Sequence, residues 1–349
     1  MTDAIFGTRI IAAPMAGGTS TPRFVQAVHR AGGLGFLAAG YKTVAAMQSD
    51  IREVRAAGAR FGMNLFVPDL AQLNPPPAAR DQLESYRRSL EPDARRYGVA
   101  LPGLRLDDDD AWQDKMDALL ADPVEFVSFT FGLPEQDEVR ALKGAGSMVI
   151  ATVTSTAEAA LAAERGADVL AVQHSSAGGH SAAFLPPGST TRSPGPATTA
   201  ELLAAVRSTV RVPLVAAGGI MDSAGLDSVL AGGATAAQLG TALLRSDESG
   251  SRQLHKDALA SQAFTETRMT RAFTGRQARA LANSFVRDHE DAPEGYPAIH
   301  HLTAPIRAAA AAAGDPERLN LWAGTGWRQA EAGPVADIMS GMLGGSELS

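Results

Sequence analysis

The residues best suited to chemistry sit in glycine-rich loops that follow predicted β-strands. Ala217-Gly218-Gly219-Ile220-Met221-Asp222 comes after one such strand, and Gln238-Leu239-Gly240-Thr241-Ala242 after the next. Glycine lets a backbone N–H approach an oxyanion closely, and a following helix start favours its negative charge. Two such loops in succession read as a phosphate cradle rather than as simple chain turns. An earlier strand ends in Gln173-His174-Ser175-Ser176-Ala177-Gly178-Gly179-His180. The paired glycines permit a tight turn that carries His180 over the same loops. An imidazole there can serve as acid, base or hydrogen-bond donor near neutral pH. A lone loop histidine is ordinarily solvated or structural, but the company of the glycine loops favours a functional reading. His174 reads equally well as structural or as cofactor-contacting. Met15, in Ala13-Pro14-Met15-Ala16-Gly17-Gly18, could pack on an aromatic ring or fill a gap. Asn64 ends another predicted strand, and its amide both donates and accepts, as the edge of a heterocycle requires.

The elements that must position these groups follow a simple rhythm. Short β-rich runs at 9–13, 34–37, 60–65, 126–130, 148–153, 169–173, 213–217 and 237–239 alternate with alanine-rich helical stretches. Continuously apolar runs such as Leu214-Val215-Ala216-Ala217 suit strands covered on both faces. Ser20 or Thr21 can cap a helix whose first residue is Pro22, and Gly32, Gly58, Gly166 and Gly232 stand where helices should stop. The expected fold class is α/β: a TIM (β/α)8 barrel with an inserted segment and a smaller helical domain. An open doubly wound sheet stays as the alternative, because periodicity does not show closure.

The expected barrel covers 1–67 and 121–244. Residues 68–120 form an insertion near the barrel mouth, containing Asn74-Pro75-Pro76-Pro77 and the run Asp107–Asp110, which reads as a solvated helix start or loop rather than a metal site. Beyond Leu244 the strand signals stop, so 245–349 is expected to be a helical lid with a disordered tail after Gly344.

Composition narrows the chemistry. The chain has 349 residues, no cysteine and a formal charge of −7. Disulfides, thiolate metal sites, iron–sulfur ligation and cysteine nucleophiles are therefore excluded, and no metal site is expected. No basic cluster invites nucleic acid and no apolar run approaches a membrane span. The opening Met1–Gly7 has no signal-peptide pattern, which makes the cytoplasm the default location.

Taken together, the motifs resemble the class I nitronate monooxygenases, formerly 2-nitropropane dioxygenases, over almost the whole chain. The shared stretches include Ala13 to Gly18, Asn64-Leu65-Phe66, Ser128-Phe129-Thr130-Phe131-Gly132, Gln173 with Ala177-Gly178-Gly179-His180, and both glycine loops. These are shared more widely, including by flavin-dependent enoyl-ACP reductases. The C-terminal group points to the nitronate enzymes: Thr270-Arg271-Ala272-Phe273-Thr274-Gly275-Arg276, Tyr296-Pro297 with Leu302-Thr303-Ala304-Pro305, and Leu321-Trp322-Ala323-Gly324. The resemblance implies non-covalent FMN, and oxidation of an alkyl nitronate by O2 to a carbonyl compound and nitrite, with propionate 3-nitronate the usual proposed substrate. It implies that Met15, Asn64, Gln173 and Gly178 contact the flavin, and that Gly219, Gln238, Leu239, Gly240 and Thr241 lie near its phosphate. His180 matches the active-site histidine, and Tyr296 is expected in the substrate pocket. The implied partners are a small nitronate or nitroalkane, O2 and, in a homodimer, a second copy. One departure stands out: Ser176 occupies a position where the family commonly has an acidic residue. Two rival readings share the scaffold, an NAD(P)H-dependent flavin reductase for enoyl thioesters or quinones and a non-catalytic flavin-binding paralogue. A flavin-free barrel acting on a phosphosugar is the remaining alternative.

Overall fold

The computed structural model describes residues 5–186 and 196–344. The tail after Gly344, expected to be disordered, and the Pro187-Gly188 stretch lie outside the described residues. The strands are β1 (Ile10–Ala12), β2 (Leu34–Ala38), β3 (Phe61–Phe66), β4 (Phe126–Thr130), β5 (Met148–Val153), β6 (Val169–Gln173), β7 (Gly179–His180), β8 (Leu214–Ala217), β9 (Ala236–Leu239), β10 (Thr267–Thr270) and β11 (Ala278–Leu281). Strands β1 to β6 with β8 and β9 close into a parallel barrel, β9 pairing back onto β1. Closure removes the open-sheet alternative.

The predicted barrel strands form because their residues are apolar on both faces. Inward residues including Ile11, Phe36, Phe126, Ile150, Ala171 and Val215 make one core cluster, and Phe6 plugs it with its ring 5.3 Å from that of Phe126. Outward residues pack under the wall helices. Those helices start where the chain offers a capping oxygen: Thr21, Thr43, Ser155, Thr198 and Asp222 each accept from a backbone N–H in the first turn. The helix Val335–Met342, within the stretch assigned above to the lid, packs on this wall instead. Its Val335, Ile338, Met339 and Met342 share a cluster with Ala27, Val28 and Ala31.

The stretch from Leu244 to Asn320 is not purely helical. Besides the helices Gln253–Ala260, Ser284–Asp288 and Ala298–Ala312 it contains the β10–β11 hairpin, which also pairs with β7 in a three-stranded antiparallel sheet. The insertion joins this layer. Leu83, Tyr86 and Leu90 share a core with Phe273, Phe285, Ile299 and Leu302, and the Tyr86 hydroxyl donates to the Ala272 carbonyl at 2.6 Å.

The aspartate run is only half solvated. Asp107 and Asp109 are exposed, while Asp108 accepts from His301 Nε2 at 2.7 Å. Asp110 pairs with the buried Lys115 at 2.8 Å and accepts from the Tyr41 amide at 2.9 Å. Lys115 also donates to the Ala39 carbonyl at 3.0 Å. The insertion therefore grips the end of β2 and holds Tyr41 at φ +67°, a backbone region few side chains adopt.

Candidate active site

The C-terminal ends of the barrel strands and the layer above them enclose a cavity of about 470 Å³. Met15, Asn64, Gln173, Gly178, His180, Gly219, Gln238, Gly240 and Thr241 all line it. Long-range folding thus brings together nine positions spread over more than two hundred residues of sequence. Two of the expected site residues stand apart. The Leu239 side chain lies in the wall core and its carbonyl accepts from the Ala13 amide at 2.8 Å. Tyr296 lines a small neighbouring pocket, with its ring 6.0 Å from that of His180.

The glycine loops are built for close approach. Gly219 has φ +69°, and the amides of Gly219 and Ile220 find no partner among the described residues. Donors left free at a left-handed turn form a concave anion site. Gly178 is crowded from the other side: a Cβ there would lie 2.5 Å from Gly324 N and 2.6 Å from the Ala323 carbonyl carbon. Both contacts are backbone, which cannot step aside cheaply. The substitution Gly178→Ala should therefore cost about 1–3 kcal/mol by overpacking and lower the thermal midpoint by several degrees in a melting scan. An unchanged midpoint would mean the two chain segments separate readily.

Side-chain amides are partly committed. Asn64 is buried, and its Nδ2 donates to the Ser128 carbonyl at 3.1 Å, Ser128 Oγ at 2.9 Å and Thr130 Oγ1 at 3.0 Å. That fixes which way the amide points and leaves its oxygen as the group available to a ligand. Gln173 clamps its own loop, with Nε2 donating to the His180 carbonyl at 3.0 Å and Oε1 accepting from the Ala182 amide at 2.8 Å. His174 is structural. The Ser176 amide donates to its Nδ1 at 3.2 Å, so Nε2 carries the proton and donates to the Pro196 carbonyl at 3.1 Å. The Ser176 hydroxyl also meets Nδ1, at 2.8 Å. Ser176 is thus absorbed into a loop brace, its oxygen 2.9 Å from where a Cβ on Gly219 would stand.

His180 is held by the cap sheet. Its residue pairs with Ala278 across β7 and β11, and Nε2 shares a hydrogen bond with Thr274 Oγ1 at 2.9 Å. Nδ1 has no partner among the described residues. Phe131, Trp322 and Tyr296 surround the ring, with centroids 5.5, 5.2 and 6.0 Å away. Burial, reinforced by the charges of Arg276 and Arg307, pushes the imidazole down to about 3. It is neutral at any ordinary working pH.

Several cavity residues had no site role assigned from sequence: Tyr41, His255, His300, Arg307 and Trp322, the last noted only within a shared stretch. The helix carrying two of them held a signal. His300, Thr303 and Arg307 recur at i, i+3 and i+7, one polar stripe on an otherwise alanine-rich helix. No helix among the described residues is long and apolar enough to cross a membrane.

Comparison with known proteins agrees with this architecture. The sequence profile described as Nitronate monooxygenase matches residues 1–344. A probable nitronate monooxygenase from Staphylococcus aureus strain Newman is 34% identical over 339 residues, covering 96% of this chain and 93% of that protein. The solved structure of nitroalkane oxidase from Streptomyces ansochromogenes superposes with a TM-score of 0.91 at 43% identity, covering 98% of this chain and 96% of that one. FabK from Thermotoga maritima is more distant, at 26% identity and a TM-score of 0.74 over 98% of this chain and 94% of that one. With the family profile and these relatives spanning nearly the entire chain, the protein is an enzyme that belongs to the nitronate monooxygenase family.

Proposed function

We propose that this enzyme binds FMN in the barrel-mouth cavity and oxidises alkyl nitronates with O2 to a carbonyl compound and nitrite. The observation that carries the reading is the layout of the cavity. Free amides at Gly219 and Ile220 lie at one end, and a neutral, aromatic-walled His180 lies under the cap. The first suits a phosphate and the second a small planar anion beside a flat ring. Bound flavin supplies the electron acceptor and the reactivity toward oxygen. The chain itself binds, orients and excludes water.

In this reading Gly219 with Gln238, Gly240 and Thr241 hold the phosphate, while Met15, Asn64, Gln173 and Gly178 border the ring system. Asn64 offers its oxygen because its nitrogen is already committed. With Nε2 accepting from the Thr274 hydroxyl, His180 Nδ1–H donates to a nitronate oxygen, and Phe131 and Trp322 keep water from the reacting carbon. Residues 68–120 with the hairpin and helices after Leu244 form the cap. A nitronate is already anionic, so the neighbouring Arg276 and Arg307 favour it over the neutral nitroalkane. The reading extends to a cytoplasmic enzyme and to a homodimer, which sedimentation of the flavin-loaded protein would test.

The rival reading on this scaffold is a flavin reductase driven by NAD(P)H, and an anaerobic titration separates the two. The purified protein is expected to show the visible spectrum of bound FMN and to be bleached by a nitronate but not by NADH or NADPH. Bleaching by a nicotinamide alone would replace the proposal with the reductase reading.

A further inference from the structure

Two side chains of opposite charge grip the stretch of chain that follows His180. β7 ends at His180, and residues 181–185 belong to no helix or strand. On one side stands Glu158, on the helix Thr156–Arg165, with only 1% of its surface exposed. Its Oε1 accepts from the amides of Phe184 at 2.7 Å and Leu185 at 3.1 Å. Its Oε2 accepts from the Thr154 amide at 2.7 Å and from the Thr154 hydroxyl at 2.8 Å. On the other side Arg276 donates to the carbonyls of Ser181 and Ala183 and stacks on the Phe131 ring at 4.1 Å. Burial pushes the Arg276 guanidinium down, and Glu158 is among the groups whose charge opposes that shift.

Glu158 stands where a glutamate ordinarily serves its own helix. Ser155 is the N-cap and accepts from the Glu158 amide at 3.2 Å. A glutamate three residues after the cap commonly reaches back to the cap amide. Here the carboxylate turns instead to Thr154 and to Phe184 and Leu185, 26 and 27 residues further along the chain. All four donors are backbone or hydroxyl groups, none a cation. A buried carboxylate is costly unless such donors satisfy it. The dependence runs both ways, because the Phe184 and Leu185 amides have no other acceptor among the described residues.

We propose that Glu158 is a positioning residue for the reaction: by anchoring Phe184 and Leu185 it fixes the path of the chain out of β7, and with it the placement of the His180 ring. Pairing with β11 holds β7 from one side, and a strand of two residues leaves its end free to pivot. Glu158 does not line the cavity, so its effect on turnover passes through His180. A misplacement of about 1 Å can cost about 100-fold in rate. Glu158→Gln preserves volume but replaces one acceptor oxygen with an NH2 group. That group would face either the Thr154 donors or the Phe184–Leu185 amides, and both sides need an acceptor. This inference rests on the nitronate reading, in which His180 meets the substrate.

The test is a double-mutant cycle on flavin-loaded enzyme with ethyl nitronate. Glu158→Gln alone is expected to lower kcat about 10–100-fold, with KM changed less than about threefold. In the His180→Asn background the same substitution should lower kcat less than about twofold, because no imidazole remains to be placed. A fall of equal size in both backgrounds, or none in either, would make Glu158 a structural residue only and overturn the proposal. Should Glu158→Gln not accumulate as flavin-loaded protein, Thr154→Val removes one of the four donors and leaves the carboxylate. Its expected fall is about threefold, again confined to the native His180 background, and an equal fall in both overturns the proposal. If the native enzyme oxidises no nitronate, the functional reading fails separately, and the 15N ring resonances of the histidines become the readout. Displaced or broadened His180 resonances in Glu158→Gln, with those of His255 unmoved, would still uphold the positioning role. Unmoved His180 resonances, or movement of both rings, would overturn it.

Discussion

Replacing His180 with asparagine is expected to leave the protein yellow and to reduce turnover by a factor of about 10²–10⁴, the usual range for a positioned acid–base group. The reason is the isolation of Nδ1. Nε2 is committed to Thr274, burial and two arginines keep the ring uncharged, and aromatic rings exclude other partners. A neutral imidazole depressed to about 3 is a weak base at pH 7, so it suits a substrate that arrives as the anion. A preformed nitronate brings no proton, so with it the loss reports the hydrogen bond from His180 to the substrate oxygen. The neutral nitroalkane needs a stronger base than this ring and should turn over slowly even in the native protein. Steady-state rates with nitroethane and with its anion read this directly. Turnover unchanged with both substrates would remove His180 from the chemistry. A matching sign follows for pH: kcat/KM with nitronate should show no loss from His180 protonation as pH falls from 8 toward 5.

The same burial should make the fold sensitive to acid. His180, His255 and His300 are held near 3, 4 and 2 in the folded chain, each chiefly by burial. Unfolded, a histidine titrates near 6.5, so between these values the unfolded chain binds more protons than the folded one. The stabilisation is fully present above about pH 6.5 and is lost as pH falls toward the folded values. Each such histidine contributes a slope approaching ~1.4 kcal/mol per pH unit in that window. Melting scans at pH 7.5, 6.5 and 5.5 should show a midpoint that is level above 6.5 and falls below it. His255→Gln removes one titrating group whose ring donates to the Trp322 carbonyl, and it should flatten part of the acid fall. A midpoint constant down to pH 5 would show that these rings are hydrated in the folded protein.

What was legible in the sequence divides along physical lines. The barrel strands announced themselves because parallel strands buried on both faces are runs of apolar residues, as in β5 and β8. The hairpin β10–β11 did not. Thr267-Arg268-Met269-Thr270 is half exposed, and its partner carries Arg279, so neither has an apolar run. β7 is two residues long and exists only through pairing with that hairpin. The glycine loops and His180 were readable as types at positions, but what holds His180 was not, since Thr274 is 94 residues away in sequence.

The amides illustrate a second limit. Asn64 and Gln173 were both read as groups for a ligand, and both line the cavity. Only the fold reveals that Asn64 retains a free oxygen while both ends of Gln173 are tied to its own loop. Ser176, where the family pattern suggests an acid, braces His174 instead. Arg307 could have been found from its helical stripe with His300 and Thr303, but not its lack of a carboxylate partner, which is a property of the packed cavity.

Nitronate oxidation on flavin in this cavity can be followed in a single assay. Purified protein is mixed with propionate 3-nitronate in aerated buffer, and nitrite release is followed together with oxygen consumption. Catalytic nitrite production is expected, dependent on O2 and on bound flavin, and it should fall at least about 100-fold in His180→Asn. Flavin-loaded protein that consumes oxygen without releasing nitrite, or releases none from any nitronate, would contradict it.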